Sequence, residues 1–230
     1  MRKKHVVVLS GAGISAESGI PTFRSSGGLW FKHRIEDVAT PEGFARNPGL
    51  VLDFYNKRRA QLATVEPNDA HKALARLEQG HRVSVVTQNV DNLHERAGST
   101  SVLHLHGQLC QARSTLDPSL VRDISFDPIQ LGECCSDGSQ WRPNVVWFGE
   151  PVPMMDEARE LVATADILLI IGTSLAVYPA ASLAYAAPER AEVLVVDPEA
   201  EPGRVVGAEI FREKAALRVP QLVAAWLKTS

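Results

Sequence analysis

The sequence predicts an α/β protein: a doubly wound, mostly parallel sheet with a small second domain formed by two insertions. Three observations predict it. Short apolar runs alternate with helical patterns, as strand–helix–strand units require. Some runs, such as Ile167-Leu168-Leu169-Ile170-Ile171, are apolar at every position, as a strand must be when helices cover both sheet faces. Glycine-rich or polar turns follow the carboxyl ends of these runs, where such sheets bind ligands.

In chain order, the strand candidates are Val6–Leu9, Val83–Val86, Val102–Leu105, Val145–Phe148, Ile167–Ile171 and Val193–Val196. Helical patterns cover Asp69–Gln79, Met155–Thr164, Ala180–Ala187 and Val219–Lys228. Two stretches break the alternation. Residues from about 25 to 65 read as helical, with breaks at Pro41 and Pro48. Residues from about 108 to 142 are turn-rich and hold all three cysteines, Cys110, Cys134 and Cys135. Together these insertions form the small domain, over the carboxyl edge of the sheet.

Bulk properties narrow the class. At 230 residues and 45% hydrophobic content, the chain can bury a full core without disulfides or a structural metal. Its formal charge of −3, with no basic tail or stripe, argues against nucleic acid as a partner. No apolar run is long enough to span a membrane. Met1-Arg2-Lys3-Lys4 and the valines after it read as the approach to the first strand rather than as a secretory signal. Three cysteines make no disulfide framework, so a reducing cytoplasm is the expected compartment.

The first turn is the richest segment. The run His5–Ser10 leads into Gly11-Ala12-Gly13-Ile14-Ser15-Ala16-Glu17-Ser18-Gly19-Ile20-Pro21-Thr22-Phe23-Arg24. A strand, a Gly-x-Gly turn and a helix start are how an α/β protein presents backbone N–H groups to a pyrophosphate. Pro21 then breaks the helix and leaves a loop carrying an aromatic and an arginine. Thr87-Gln88-Asn89-Val90-Asp91 follows Val83–Val86, where Asn89 and Asp91 suit a helix cap and a ligand contact about equally. His104 and His106, two apart, point to one side of a strand; a metal pair and hydrogen-bonded core histidines are the two readings. Gly172-Thr173-Ser174 and Asp197-Pro198-Glu199 are further turns at carboxyl strand ends.

The Gly11–Arg24 segment, Gln88-Asn89-Val90-Asp91 and His106-Gly107 resemble the sirtuins, the NAD-dependent protein deacylases. The resemblance covers nearly the whole chain outside about 108 to 140, and it implies a Rossmann-like sheet with a small second domain. NAD is the cofactor it implies. Contacts to NAD would come from Gly11, Ala12, Gly13, Ser15, Glu17, Ile20, Phe23, Arg24 and Trp30 in the first loop. Gln88, Asn89, Val90 and Asp91 would surround the nicotinamide and its ribose, with Asp91 on the amide and Asn89 on the reactive ribose and a water. Gly172, Thr173, Ser174, Asp197, Pro198 and Glu199 would complete the cofactor site, with Ala215 on the adenine. The family carries Asn at the position of Asp197; a carboxylate accepts from ribose hydroxyls but cannot donate. His106 matches the catalytic base, and His104 is left structural. Imidazole suits that task because it titrates near neutral pH.

Substrate residues follow from the same resemblance. Asn144–Glu150 reads as an edge strand whose Val146, Trp147, Phe148, Gly149 and Glu150 would pair with a peptide and wall the acyl-lysine tunnel. Tyr55 and Arg58, three apart on a helix, share a face. With Ala39 they match the acyl pocket of class III sirtuins, which implies activity on succinyl- and malonyl-lysine as well as acetyl-lysine. An arginine grips a terminal carboxylate bidentately and a tyrosine adds a third bond. The family's two Cys-x-x-Cys pairs are absent; Ser114 stands near a missing ligand, and no zinc is expected. Trp141, Phe126 and Ile129 are the expected anchors of that region instead. The rival readings are a zinc-free relative that hydrolyses NAD or transfers ADP-ribose, and a non-catalytic binding module.

Overall fold

The computed structural model describes residues 3–22 and 33–228. Its centre is a six-stranded sheet. In chain order the strands are β1 (His5–Ser10), β2 (Arg82–Thr87), β3 (Val102–His104), β7 (Ile167–Ile171), β8 (Glu192–Val196) and β9 (Glu209–Phe211), and their spatial order is β3-β2-β1-β7-β8-β9. Every neighbouring pair is parallel. The chain leaves β1 toward β2 and β3 on one side and returns to β7 on the other. The strand order therefore reverses between β1 and β7, where an open α/β sheet has its ligand crevice.

Alternation along the strands loads both faces. Val6 and Val8 of β1 pack with α5 (Asp69–Leu77) and α8 (Ala215–Lys228), while Val7 and Leu9 pack with α7 (Met155–Ala163) and a 3₁₀ helix at Ala180–Tyr185. Two boundaries differ from the sequence reading. The last helix starts at Ala215 rather than Val219, because Ala215 and Val219 enter one core layer and Glu17 accepts a bond from Ala216 N, carrying Pro220 inside the helix. Strand β9 gave too short a pattern to find; it is held by β8 through a three-residue register.

The first insertion holds α2 (Ile35–Val38), α3 (Pro41–Arg46) and α4 (Pro48–Leu62). Pro41 and Pro48 do not merely interrupt the helices but start new ones, each at the first turn behind a capping Thr40 or Asn47. The second insertion is more regular than its composition suggests: β4 (Gly107–Ser114), β5 (Val121–Asp123) and β6 (Trp141–Val145) form an antiparallel sheet in the order β5-β4-β6. Strand β6 lies earlier than the expected strand at Val145–Phe148. It ends at Val145 because Gly149 takes φ +90° and Glu150 folds back to accept from Trp147 N at 2.7 Å.

Where the family's zinc ligands are missing, side chains bond one another. The Ser114 hydroxyl donates to Asp137 at 2.5 Å, meets Ser139 Oγ at 2.8 Å and accepts from the N–H groups of Leu116 and Asp117. Cys135 is buried and lies 3.0 Å from Ser139 O, whereas Cys134 is exposed. Among the described residues no three His, Cys, Asp or Glu side chains converge as a metal site would need. Trp141 and Ile129 anchor the apolar cluster beneath, with Leu52 and Ala112; Phe126 packs against the neighbouring cluster instead. No described helix is long and apolar enough to cross a membrane.

Candidate active site

The glycines of the first turn work differently from the phosphate-cradle picture. Gly11 N donates to Ile171 O at 2.9 Å and Gly13 N to Gly172 O at 2.8 Å. These N–H groups join the turn after β1 to the turn after β7. A Cβ on Gly13 would lie 2.5 Å from Gly172 Cα, so glycine is needed for backbone to meet backbone. The helix that follows, α1 (Gly13–Ala16), is a single turn. Ser15 projects from it toward the turn after β2.

That contact builds the polar centre. Ser15 Oγ donates to Asp91 Oδ2 at 3.0 Å, and Asn89 Nδ2 donates to Ser15 Oγ and to Gly11 O, both at 3.2 Å. Asp91 Oδ1 accepts from Leu93 N, the first residue of the short helix α6 (Leu93–Arg96), from the position before the N-cap Asn92. Burial pushes the Asp91 carboxyl up, against the bonds from Leu93 N and Ser15. Gln88 Nε2 donates to Thr173 Oγ1 at 3.1 Å and ties this centre to the turn after β7.

Two histidines hang from the same backbone. His106 Nδ1 lies 2.9 Å from Gln88 O. A carbonyl only accepts, so Nδ1 carries the proton and Nε2 keeps its lone pair. Burial lowers the His106 pKa, against the Gln88 bond, and favours this neutral form. His104 binds Asn89 O at 2.9 Å and the Glu95 carboxylate at 2.6 Å. Burial opposes its charge, but the Glu95 bond and field raise its pKa overall. His104 therefore braces the turn beneath the site with both ring nitrogens facing acceptors, and His106 presents a neutral imidazole at its surface.

The apolar wall comes from the small domain. Tyr55 and Arg58 leave the same face of α4, with the guanidinium 5.5 Å from the Tyr55 ring centroid. Burial raises the Tyr55 pKa and keeps its hydroxyl protonated; it also lowers that of Arg58, which the field of Tyr55 and Asp91 opposes. Ala39 O accepts from Phe148 N at 3.0 Å, and His106 O from Val146 N at 2.9 Å. The Val146–Phe148 strip thus connects Ala39 to the backbone of His106. The Glu150 carboxylate is engaged inward, by Arg113, Arg142 and Trp147 N.

One cavity of about 960 Å³ runs along these groups. It is lined by Gly11, Ala12, Gly13, Ser15, Glu17 and Ile20, by the Gln88–Asp91 turn, and by His106. Ala39, Tyr55, Arg58 and Val146–Glu150 line it from the small domain, and Gly172–Ser174, Asp197–Glu199 and Ala215 from the far half of the sheet. Phe23, Arg24 and Trp30 lie outside the described residues.

Known proteins resemble this chain over most of its length. A family model described as the Sir2 family matches residues 11–179. The chain belongs to the Sir2 family. A Helicobacter pylori protein named NAD-dependent protein deacylase is 56% identical over 88% of this chain and 86% of its own length. A Bacteroides thetaiotaomicron protein of the same name is 53% identical over 85% and 86%. A solved structure titled as a Sir2 homolog–NAD complex superposes with a TM-score of 0.90 at 40% identity, covering 99% of this chain and 91% of that one.

In this Sir2 chain three groups escaped the sequence reading. Arg59, beside Arg58, is fully buried; it donates to Leu109 O at 2.7 Å and to Asn56 Oδ1 at 2.8 Å, and burial brings it down to about 10. Asn56 also exchanges two bonds with the backbone of Ile129, so α4 is fastened to the second insertion. The spacing Leu52, Asn56, Arg59 marks this second helix face. Arg142 packs its guanidinium 3.3 Å from the Trp147 ring centroid, and no local pattern announces it.

Proposed function

We propose that this NAD-dependent protein deacylase removes acidic acyl groups, succinyl and malonyl, from lysine side chains, and acetyl as well. One catalytic domain spans the chain, and the two insertions form its small subdomain. The single observation that carries the reading is the shared cavity: Arg58 and Tyr55 line the same space as His106, Asn89 and Asp91. A carboxylate entering a largely apolar tunnel needs a paired cation and a donor. Arginine stays protonated and offers a planar fork of donors; Tyr55 supplies the neutral partner.

The family reading assigns the remaining roles. The backbone turns after β1, β7 and β8 fit a dinucleotide at the strand-order reversal. NAD, when bound, supplies the ribose carbon that receives the acyl group as nicotinamide leaves. His106 Nε2 takes a proton from a ribose hydroxyl, since Nδ1 is held by Gln88 O. Asn89 and Asp91 orient the reacting end, braced by Ser15. Val146–Phe148 offers backbone to the peptide. The products are free lysine, nicotinamide and O-acyl-ADP-ribose.

Mass spectrometry of matched succinyl-lysine and acetyl-lysine peptides, with and without NAD, tests the reading. NAD-dependent release of succinyl with O-succinyl-ADP-ribose supports it. Consumption of NAD with both peptides intact would replace it with NAD hydrolysis or ADP-ribose transfer.

A further inference from the structure

The Trp147 indole N–H donates to the Tyr55 hydroxyl oxygen at 3.0 Å. An indole nitrogen only donates, so the tyrosine oxygen must accept. Arg58 stands beside the same side chain, its guanidinium 5.5 Å from the Tyr55 ring centroid, and a guanidinium likewise only donates. The indole N–H thereby takes one lone pair of the hydroxyl, and the side facing Arg58 meets a group that can only donate. Its proton is left to be given away, and among the described residues no oxygen accepts it. Tyr55 lines the cavity, so the acceptor is whatever enters there.

Trp147 is itself held in place. Its ring lies between the Arg142 guanidinium, at 3.3 Å from the centroid, and Phe44, at 5.3 Å. Glu150 fixes Arg142 through bonds of 2.6 and 3.1 Å and takes the Trp147 backbone N–H with the same carboxylate. Ring and backbone of one residue are therefore clamped by one ion pair, with Trp147 and Arg142 buried and Glu150 half-buried. Cation–ring contact of this kind resists tilting of the indole.

We propose that Trp147, clamped by Arg142 and Glu150, is a specificity-determining positioning residue: its indole N–H fixes Tyr55 as a hydrogen-bond donor, so the pocket selects acyl groups ending in an acceptor-only carboxylate. The inference rests on the acidic-acyl reading above. An acetyl group offers Tyr55 no acceptor at that depth and gains nothing from the arrangement. Removing the N–H frees the hydroxyl to turn its proton elsewhere.

The test is a double-mutant cycle on purified full-length protein. Steady-state kcat and KM are measured on succinyl-lysine and acetyl-lysine peptides for wild type, Trp147→Phe, Tyr55→Phe and the double variant. Trp147→Phe lowers the succinyl-to-acetyl ratio of kcat/KM about tenfold, mainly through the succinyl KM. In the Tyr55→Phe background the same change moves the ratio by less than about twofold. An unchanged ratio in the wild-type background, or equal falls in both, overturns the proposal. Arg142→Lys, which loosens the stack, runs the same cycle if Trp147→Phe fails to fold. If Tyr55→Phe lowers the ratio and neither clamp variant does, the acidic-acyl reading stands and this inference alone falls. Wild type without desuccinylation removes both.

Discussion

Replacing Gly172 by alanine is the sharpest probe of how the site is assembled. Gly172 has φ +60°, and an added Cβ would sit 2.5 Å from Gly13 C and 2.6 Å from Gly13 Cα, closer still to Ile14 N. All three neighbours are backbone atoms, so none can rotate away. The left-handed conformation costs alanine about 1–2 kcal/mol, offset by about 0.4–1 kcal/mol from a less flexible unfolded chain. Forcing the turns apart adds about 1–3 kcal/mol. The sum, about 1–5 kcal/mol, lowers Tm by roughly 9 °C at mid-range, at about 2–4 °C per kcal/mol for a domain of this size. Gly203 provides the control, with φ +80° and nothing within 4 Å of an added Cβ. Its alanine variant carries only the conformational part and melts within roughly 2 °C of wild type. The assay is paired thermal denaturation, with the KM for NAD read on the same samples. If Gly172→Ala and Gly203→Ala melt together, the glycine contact does not hold the two turns and the packing argument is wrong.

Arg58→Met removes two charge-assisted bonds worth about 1.5–3 kcal/mol each, so the succinyl-to-acetyl ratio of kcat/KM falls roughly a hundredfold; equal losses on both peptides would refute the assignment. His106→Ala abolishes turnover. Because burial lowers the His106 pKa below 6.5, the wild-type kcat/KM is full above that value and declines only at lower pH; an acid limb above 6.5 would contradict a neutral base. The His104–Glu95 pair has opposite shifts: His104 is raised from 6.5, and Glu95 is lowered from 4.5 because the His104 bond and field outweigh burial. The histidine's share of stability is complete below 6.5 and is lost as pH rises through its raised value; the glutamate's is complete above 4.5 and is lost as pH falls through its lowered value. Glu95→Gln therefore lowers Tm most between pH 4.5 and 6.5, and a uniform loss across pH would show that charge is not involved. The Ser114, Asp137, Ser139 and Cys135 side chains are tied by hydrogen bonds, so the expected outcome of prolonged chelation is an unchanged Tm, and a fall with zinc released would disprove it.

The alternation of apolar runs and helical patterns was enough to read the parallel sheet, because strands covered on both faces have no polar position to confuse their period. The polar turns after β1, β2, β7 and β8 were legible for the same reason: each begins where an apolar run stops. Tyr55 and Arg58 were legible as a pair because helical spacing is local geometry. Strand order was not, nor was the approach of Gly13 to Gly172, residues 159 apart in the numbering that only the β1–β7 pairing brings together. The same limit hid Arg142, whose neighbours' pattern gives no sign that the charge turns inward, and the partner of Arg59, whose spacing with Leu52 and Asn56 marks only a face; Leu109 and Glu150 lie across other elements. In the second insertion the turn-rich composition concealed a real antiparallel sheet, since its short strands hold their register through cross-strand bonds rather than through a hydrophobic period. Sequence alone thus determined the apolar strands β1, β2, β3, β7 and β8 and the polar turns at their ends, because both are local properties. Which glycine meets which backbone, which arginine is buried and which donor reaches the Tyr55 hydroxyl were decided only by tertiary structure, because each depends on a partner that local sequence does not specify.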